Sequence, residues 1–346
     1  MQKFVILCPG SFDYILNKTG NMLIRYRNND VCCVIDPQKA GSTAEEILGY
    51  GGAIPVVANF EDASKYEPNA LVIGSAPQGG YINDTYRKEI VAAMQYGCNI
   101  YSGMHQFLND DPELSAMAEK ESIAIYDLRR PPHPPHFPKG SWKNRKVKIL
   151  LIVGTDCDTG KMTTGWEISE RLKNRGRNVQ FLGTGQTGIL LSGHGVPVDA
   201  VVSDFMAGEI EHAIDQIEDK TDLVIVEGQG SLTNMFYAGV TLGLMHGAMP
   251  DYMVMTHEPE RKIDVSNHSM ASMKDVMDLH LSLMKNFKQT QFIGINLLTL
   301  KMSEEDALNK IDQYEKECGM PVTDLIRFGD RELINWIDQE LPLNES

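Results

Sequence analysis

The sequence holds no run approaching the ~20 consecutive apolar residues that a membrane-spanning helix needs, so no membrane association through such a helix is expected. Positive charge is scarce: 32 Lys and Arg stand against 47 Asp and Glu, a formal net charge of −15. A broadly negative surface repels nucleic acid and anionic membranes alike, and neither is expected as a partner. Any anionic ligand must then be held by local devices, helix termini and a few basic side chains. Cysteine is sparse too. Cys8, Cys32, Cys33, Cys98, Cys157 and Cys318 show neither C-x-x-C nor a Cys/His metal spacing. Buried thiols in a reducing, cytoplasmic compartment follow, with no metal site. The apolar part of MQKFVILCPGSF is too short for a secretory signal and reads as a first strand. No internal repeat is evident.

What is present is a 42% hydrophobic, 346-residue chain, long for one core, so two domains are expected. In residues 1–128 the runs 4–7, 31–35, 54–58, 70–73, 99–101 and 123–126 read as strands, and 82–96 and 112–120 as helices. Such alternation implies βαβ units, a parallel sheet and a Rossmann-like N-terminal domain. The first turn, Cys8-Pro9-Gly10-Ser11, lacks G-x-G-x-x-G, which weakens a dinucleotide reading of Asp36 at the end of the second strand. Gly74-Ser75-Ala76 and Gly103-Met104-His105 fall at strand carboxyl ends, where open α/β sheets bind ligands. Residues 129–147, RRPPHPPHFPKGSWKNRKV, hold five prolines between 131 and 138 and read as an extended basic linker. Arg129 and Arg130 there are expected to orient a carboxylate or phosphate.

Residues 148–346 form the second α/β domain. Its opening, KILLIVGTDCDTGKMTTG, is an apolar strand run, a glycine-bounded loop and a helix. Gly160-Lys161 stands at the helix N-terminus, where backbone N–H groups and the macrodipole favour an anion. Gly154, Thr155, Asp156, Cys157, Asp158, Thr159, Gly160, Lys161, Met162, Thr163 and Thr164 are thus the expected phosphate-binding residues. Met162 stands where a Mg²⁺-binding hydroxyl is usual. A thioether is a poor ligand for a hard cation, which points from phosphoryl transfer toward holding a phosphorylated cofactor. Further strands are expected at 178–182, 199–205, 223–228, 252–256, 292–297 and 322–328, and an amphipathic helix at 332–341. Asp204 and Glu227 would sit at strand tips facing the loop, and His257 would follow the strand at 252–256. The methionines between 245 and 284 are expected in the core and in dimer packing, as part of a homodimer or higher homo-oligomer.

The loop GTDCDTGK, the Q-T-G at 186–188, VEGQGSL at 226–232 and the late strand with Asn296 resemble dethiobiotin synthetase. In that enzyme a lysine precedes Q-T-G, whereas this chain reads Gly183-Thr184-Gly185. DLRRPP at 127–132, GTDCDTGKMTT at 154–164, DAVVSDFMAGEIEH at 199–212 and GVTLGLMHG at 239–247 are more similar to a bacterial family pairing a Rossmann-like domain with a P-loop domain. Its characterised member is a D-glutamate N-acetyltransferase using acetyl-CoA. The resemblance implies an N-acetyltransferase moving the acetyl group of acetyl-CoA to the amine of an acidic amino acid. Glu227, Asp204 or His257 would take the proton. Arg129, Arg130, Gln186, Gln229 and Ser231 would meet the substrate. The competing expectations are an ATP- and Mg²⁺-dependent ligase or kinase of the dethiobiotin synthetase kind, and a nucleotide- or CoA-sensing regulator.

Overall fold

The computed structural model describes residues 2–75, 80–217 and 220–341, so Ala76 lies outside the described residues. The chain divides into two compact units. One runs to Arg130 and includes Ile189–Gly193; the other comprises Pro131–Gly188 and the chain from His194.

In the first unit the strands are β1 (Phe4–Leu7), β2 (Val31–Ile35), β3 (Val56–Val57), β4 (Ala70–Ile73), β5 (Asn99–Ser102) and β6 (Ile125–Asp127). They pair in parallel in the order β3-β2-β1-β4-β5-β6. This is the doubly wound order of a Rossmann sheet. Helices α1 (Lys18–Tyr26), α2 (Ala44–Leu48), α3 (Phe60–Ala63), α4 (Asp84–Tyr96) and α5 (Pro112–Glu121) connect them. Val5, Leu7, Leu71 and Ile73 pack with Ile90 and Met94 of α4 and Leu114 of α5 in one buried cluster. Asp36 does not project from the end of β2 to take a ribose. It is fully buried and accepts from the backbone N–H groups of Gly10, Phe12 and Gln38 at 2.9–3.0 Å. It therefore pins the β1 turn that lacks the glycine fingerprint.

The second unit holds β7 (Lys148–Gly154), α6 (Lys161–Asn174), β8 (Val179–Leu182), α7 (Gln186–Ser192, whose end belongs to the first unit) and α8 (Ser203–Asp215). There follow β9 (Leu223–Val226), α9 (Ala238–Ala248), β10 (Tyr252–His257), α10 (Met273–Met284), β11 (Gln291–Leu297), α11 (Glu304–Cys318), β12 (Val322–Thr323) and α12 (Leu333–Gln339). The strands pair in parallel in the order β12-β11-β10-β7-β9-β8. β7 is central and buried on both faces, as its unbroken apolar run requires. Met245, Met249, Met253, Met255 and Met284 belong to the buried core, where Ile149, Leu151 and Val153 meet α8 through α11.

The strand expected at 199–205 does not form, and Asp204 is no strand-tip acid. Residues 203–215 are α8, with Asp204 exposed in its first turn. Met206, Ile210 and Ile214 recur at helical spacing and are buried, whereas Val202 is 65% exposed. The longer 3.6-residue period wins over two adjacent valines. The final strand is also shorter than its apolar run, because Asp324 turns the chain by accepting from Ile326 and Arg327 N–H groups.

The proline-dense stretch carries no helix or strand between 131 and 140, yet it is fastened to α8. Buried Glu209 accepts from the His136 N–H at 2.7 Å, and buried Glu211 from the N–H groups of Lys139 and Ser141. His136 stacks on His212 with centroids 3.7 Å apart. Carboxylates supply the acceptors that an extended, proline-rich backbone cannot find in a ladder.

Candidate phosphate-loop site

β7 lies between β9 and β10, so the site begins where these three strands end. The Thr155 N–H donates to the Thr256 carbonyl at 3.1 Å, and the loop then leaves the sheet. Asp158 (φ 54°) and Gly160 (φ 85°) are left-handed. Only glycine takes that conformation without strain, and Gly160 turns the chain into α6 at Lys161. No side chain caps α6, whose first turn contains no acid. That end of the helix suits an anion.

Inside the loop, the Thr159 hydroxyl donates to the Asp156 carbonyl at 3.0 Å and lies 2.7 Å from the Thr256 hydroxyl. Lys161 is buried, and its Nζ donates to the Asp156 carbonyl at 2.6 Å. Its Nζ also lies 3.4 Å from the Thr159 hydroxyl, and a phosphate oxygen is a stronger partner for an ammonium than a neutral carbonyl. Met162 is buried. Thr164 Oγ1 accepts from Asn296 Nδ2 of β11 at 2.9 Å, which ties this hydroxyl to the sheet. Cys157 is half-buried, and burial pushes its thiol up, away from the thiolate form. Among the described residues, no three His, Cys, Asp or Glu side chains could together hold a metal ion.

The loop is braced by a charge chain that the sequence reading missed. Asp156 is fully buried, accepting from Asn234 Nδ2 at 3.0 Å and the Val265 N–H at 3.0 Å, with Arg261 Nη1 at 3.1 Å. Arg261 also donates to the Cys157 carbonyl at 2.7 Å and pairs with Glu258, which pairs with Lys301 at 2.8 Å. Burial pushes the Glu258 carboxyl up, but Lys301 and Arg261 together hold it below its usual range. The signal was HEPERK, an i,i+3 Glu–Arg pair directly after a strand, which resembles an ordinary solvated run until its depth is known.

Of the residues expected to surround the loop, the structure gathers several. Glu227, buried just past β9, accepts through Oε2 from the N–H groups of Thr184 (2.8 Å) and Gly185 (3.3 Å). It therefore shapes the turn that launches α7 at Gln186. Gln229 Nε2 reaches Glu227 Oε1 at 3.5 Å, and buried Ser231 donates to the Thr155 carbonyl at 3.1 Å. Arg129 and Arg130 belong to the first unit and have partners there. Arg129 Nε donates to the Gly103 carbonyl at 2.7 Å, and Arg130 pairs with Asp110 at 2.6 Å above the Phe107 ring. His105 is exposed, and partial desolvation of its ring, then the charge of Arg129, lowers its pKa.

His257 closes β10 with its ring between the loop and α11. Nδ1 lies 2.9 Å from the Thr155 hydroxyl and Nε2 3.3 Å from the Tyr314 hydroxyl. Burial first, then the charge of Lys262, lowers its pKa to about 4. The ring is thus neutral at pH 7, and burial leaves it a weaker base than a free imidazole. His257 also lines a cavity of about 800 Å³ beside α10 and α11. His280 of α10 is likewise lowered to about 4 by burial.

These shifts have a stability consequence. Both histidines titrate near 6.5 when unfolded and near 4 when folded, so between these values the unfolded chain binds more protons. Stability is therefore lost as pH falls through that window. Each histidine should remove about 2 kcal/mol by pH 5 relative to pH 7.5. Urea titrations at the two pH values should show the loss, and His280→Gln should remove about half of it. Equal midpoints at both pH values would contradict the assignment.

The comparisons with known proteins agree with this architecture. The family model for the DUF1611 P-loop domain, described as a domain of unknown function, matches residues 136–334. The model for the DUF1611 Rossmann-like domain matches residues 37–131. A curated protein of Tritonibacter scottomollicae named D-glutamate N-acetyltransferase is 38% identical over 280 residues, covering 80% of this chain and 83% of the relative. A Pseudoalteromonas protein of the same name is 35% identical over 271 residues, covering 78% and 81%. The crystal structure of a DUF1611 family protein from Anabaena variabilis superposes with a TM-score of 0.91 at 34% identity, over 98% of this chain and all of that one.

Proposed function

The chain belongs to the DUF1611 family and is an N-acetyltransferase of the kind its curated relatives are named for; from that premise we propose that acetyl-CoA is the donor and the amine of an acidic amino acid, D-glutamate first, the acceptor. The observation that carries the donor is the phosphate loop without a metal-binding hydroxyl: Met162 follows Lys161, and Thr164 is engaged by Asn296. Coenzyme A brings a diphosphate to be bound and no phosphoryl group to be moved, which fits this loop better than an ATP-dependent ligation. The first turn of α6 and Lys161, released from the Asp156 carbonyl, would hold the diphosphate.

In the transfer, the amine nitrogen attacks the acetyl carbonyl carbon, an N–C bond forms and the C–S bond breaks. The electron pair leaves on the coenzyme A sulfur, and the amine proton passes to a base and on to that sulfur. We assign the base to His257. It is neutral, beside the loop and open to a cavity, whereas the Glu227 carboxylate is bound by backbone N–H groups and Asp204 is exposed in the first turn of α8. Gln229, Ser231 and Gln186 stay near the loop as candidates for substrate contact. Arg129 and Arg130, which hold the Gly103 carbonyl and Asp110, stay candidates for orienting a substrate carboxylate. A cytoplasmic setting is supported by six free thiols. A homo-oligomer is supported by Met235 and Phe236, exposed by more than 60% side by side.

Replacing Lys161 with alanine tests the phosphate role. A charge-assisted hydrogen bond contributes about 1.5–3 kcal/mol, so the KM for acetyl-CoA should rise about 10- to 150-fold. An unchanged KM would remove Lys161 from the donor site.

A further inference from the structure

Tyr314 stands on the inner stripe of α11, where Ala307 and Ile311 are fully buried and Tyr314 and Cys318 follow at helical spacing. Its ring packs edge-on against the His257 imidazole, with centroids 5.7 Å apart and planes at 89°. A phenol packed on such a stripe needs a partner for its hydroxyl. Among the described residues that partner is His257 Nε2, at 3.3 Å. Tyr314 also lines the cavity of about 800 Å³ that His257 faces. Two other hydroxyl side chains line it, and both are committed elsewhere. Ser272 caps α10 and donates to Asp275 at 2.6 Å, and Thr290 donates to the Pro250 carbonyl at 2.8 Å. Tyr314 is the lining hydroxyl that meets a titratable ring.

A neutral imidazole carries one N–H and one lone pair. With Nδ1–H donating to the Thr155 hydroxyl, the lone pair is at Nε2 and accepts from the phenol O–H. Thr155, His257 and Tyr314 then form one chain from the phosphate loop to the cavity. An amine in the cavity meets the phenol oxygen before it meets Nε2.

We propose that Tyr314 is a second catalytic residue, the relay through which the proton of the acceptor amine reaches His257 Nε2, an inference that rests on the assignment of His257 as the base. The amine nitrogen first attacks the acetyl carbonyl carbon and becomes positively charged in the tetrahedral adduct. There it gives up a proton far more readily than a free ammonium does, so a weak, buried base suffices. As that N–H bond breaks, its proton goes to the phenol oxygen while the phenol proton goes to Nε2. The phenol ends neutral and the imidazole charged. The C–S bond then breaks with its electron pair on sulfur, and the proton returns from Nε2 through the phenol to that sulfur. Burial and the charge of Lys262 disfavour the imidazolium, which favours the return. Burial first, then the charge of Glu317, pushes the phenol up, so its hydroxyl keeps a proton to pass on.

Initial rates of thiol release from acetyl-CoA with D-glutamate, in Tyr314→Phe, His257→Asn and the double variant, test this. Phenylalanine keeps the ring against His257 and removes only the hydroxyl. Tyr314→Phe should lower kcat by about 10- to 100-fold and leave the KM for acetyl-CoA within about threefold of the wild type. The double variant should be no slower than His257→Asn alone, because two members of one relay are not additive. A Tyr314→Phe kcat within threefold of the wild type, with His257→Asn slow, would overturn the relay and leave the base in place. Losses that multiply in the double variant would also overturn it, since the hydroxyl would then act apart from the ring. A His257→Asn kcat near that of the wild type would overturn the base assignment beneath the relay, and the relay with it.

Discussion

Replacing His257 with asparagine is expected to lower kcat for acetyl transfer by about 10²- to 10⁴-fold, the usual contribution of a positioned proton acceptor. The expectation follows from three features at one ring. Burial and Lys262 hold it neutral, Thr155 fixes Nδ1 from the phosphate loop, and Tyr314 stands at Nε2. Asparagine can still meet the Thr155 hydroxyl but cannot titrate. The KM for acetyl-CoA should therefore change far less than kcat. Initial rates of thiol release across pH 5–9 measure both. A kcat within a factor of three of the wild type would move the base elsewhere, with Glu227 next in line.

The largest stability effect is expected at Gly228, on the turn after β9. A Cβ at this position would lie 1.7 Å from the Ile152 carbonyl oxygen and 3.0 Å from Lys161 Cδ. Ile152 belongs to the central strand β7, paired on both sides, so its backbone cannot retreat. Ordinary overpacking costs about 1–3 kcal/mol; a clash with a fixed backbone oxygen should reach or exceed the upper end. Gly228→Ala is thus expected to lower the melting temperature of the second unit by roughly 6–12 °C. A melt within 1 °C of the wild type would mean that β7 and the β9 turn are less closely apposed than described.

How much of this was legible beforehand depended on whether the cause was local. The buried run Ile149–Val153 and the loop to Lys161 were readable because strand, turn and helix signals are contiguous in sequence. All six strands of the first unit sit within two residues of their apolar runs for the same reason. Asp204 was misplaced because Val201-Val202 mimics a strand over a short window. Only the burial of Met206, Ile210 and Ile214 reveals the helix. Of the brace around Asp156 only the Glu258–Arg261 pair left a local signal. Asn234, that pair and Lys301 come from three separate loops, and no spacing rule links them to Asp156 before the sheet order is known. Asp36 shows the converse: its place at a strand end was correctly read, and its work is to hold three backbone N–H groups.

The central claim is that the loop holds coenzyme A and not Mg²⁺-ATP for phosphoryl transfer. Thermal melting with acetyl-CoA or ATP, each with and without Mg²⁺, tests it most directly, since a ligand that binds the native state raises the melting temperature. Stabilisation by acetyl-CoA that is indifferent to Mg²⁺ is the predicted result. Stabilisation by ATP only when Mg²⁺ is present, with no response to acetyl-CoA, would contradict the account and return the chain to the ligase reading.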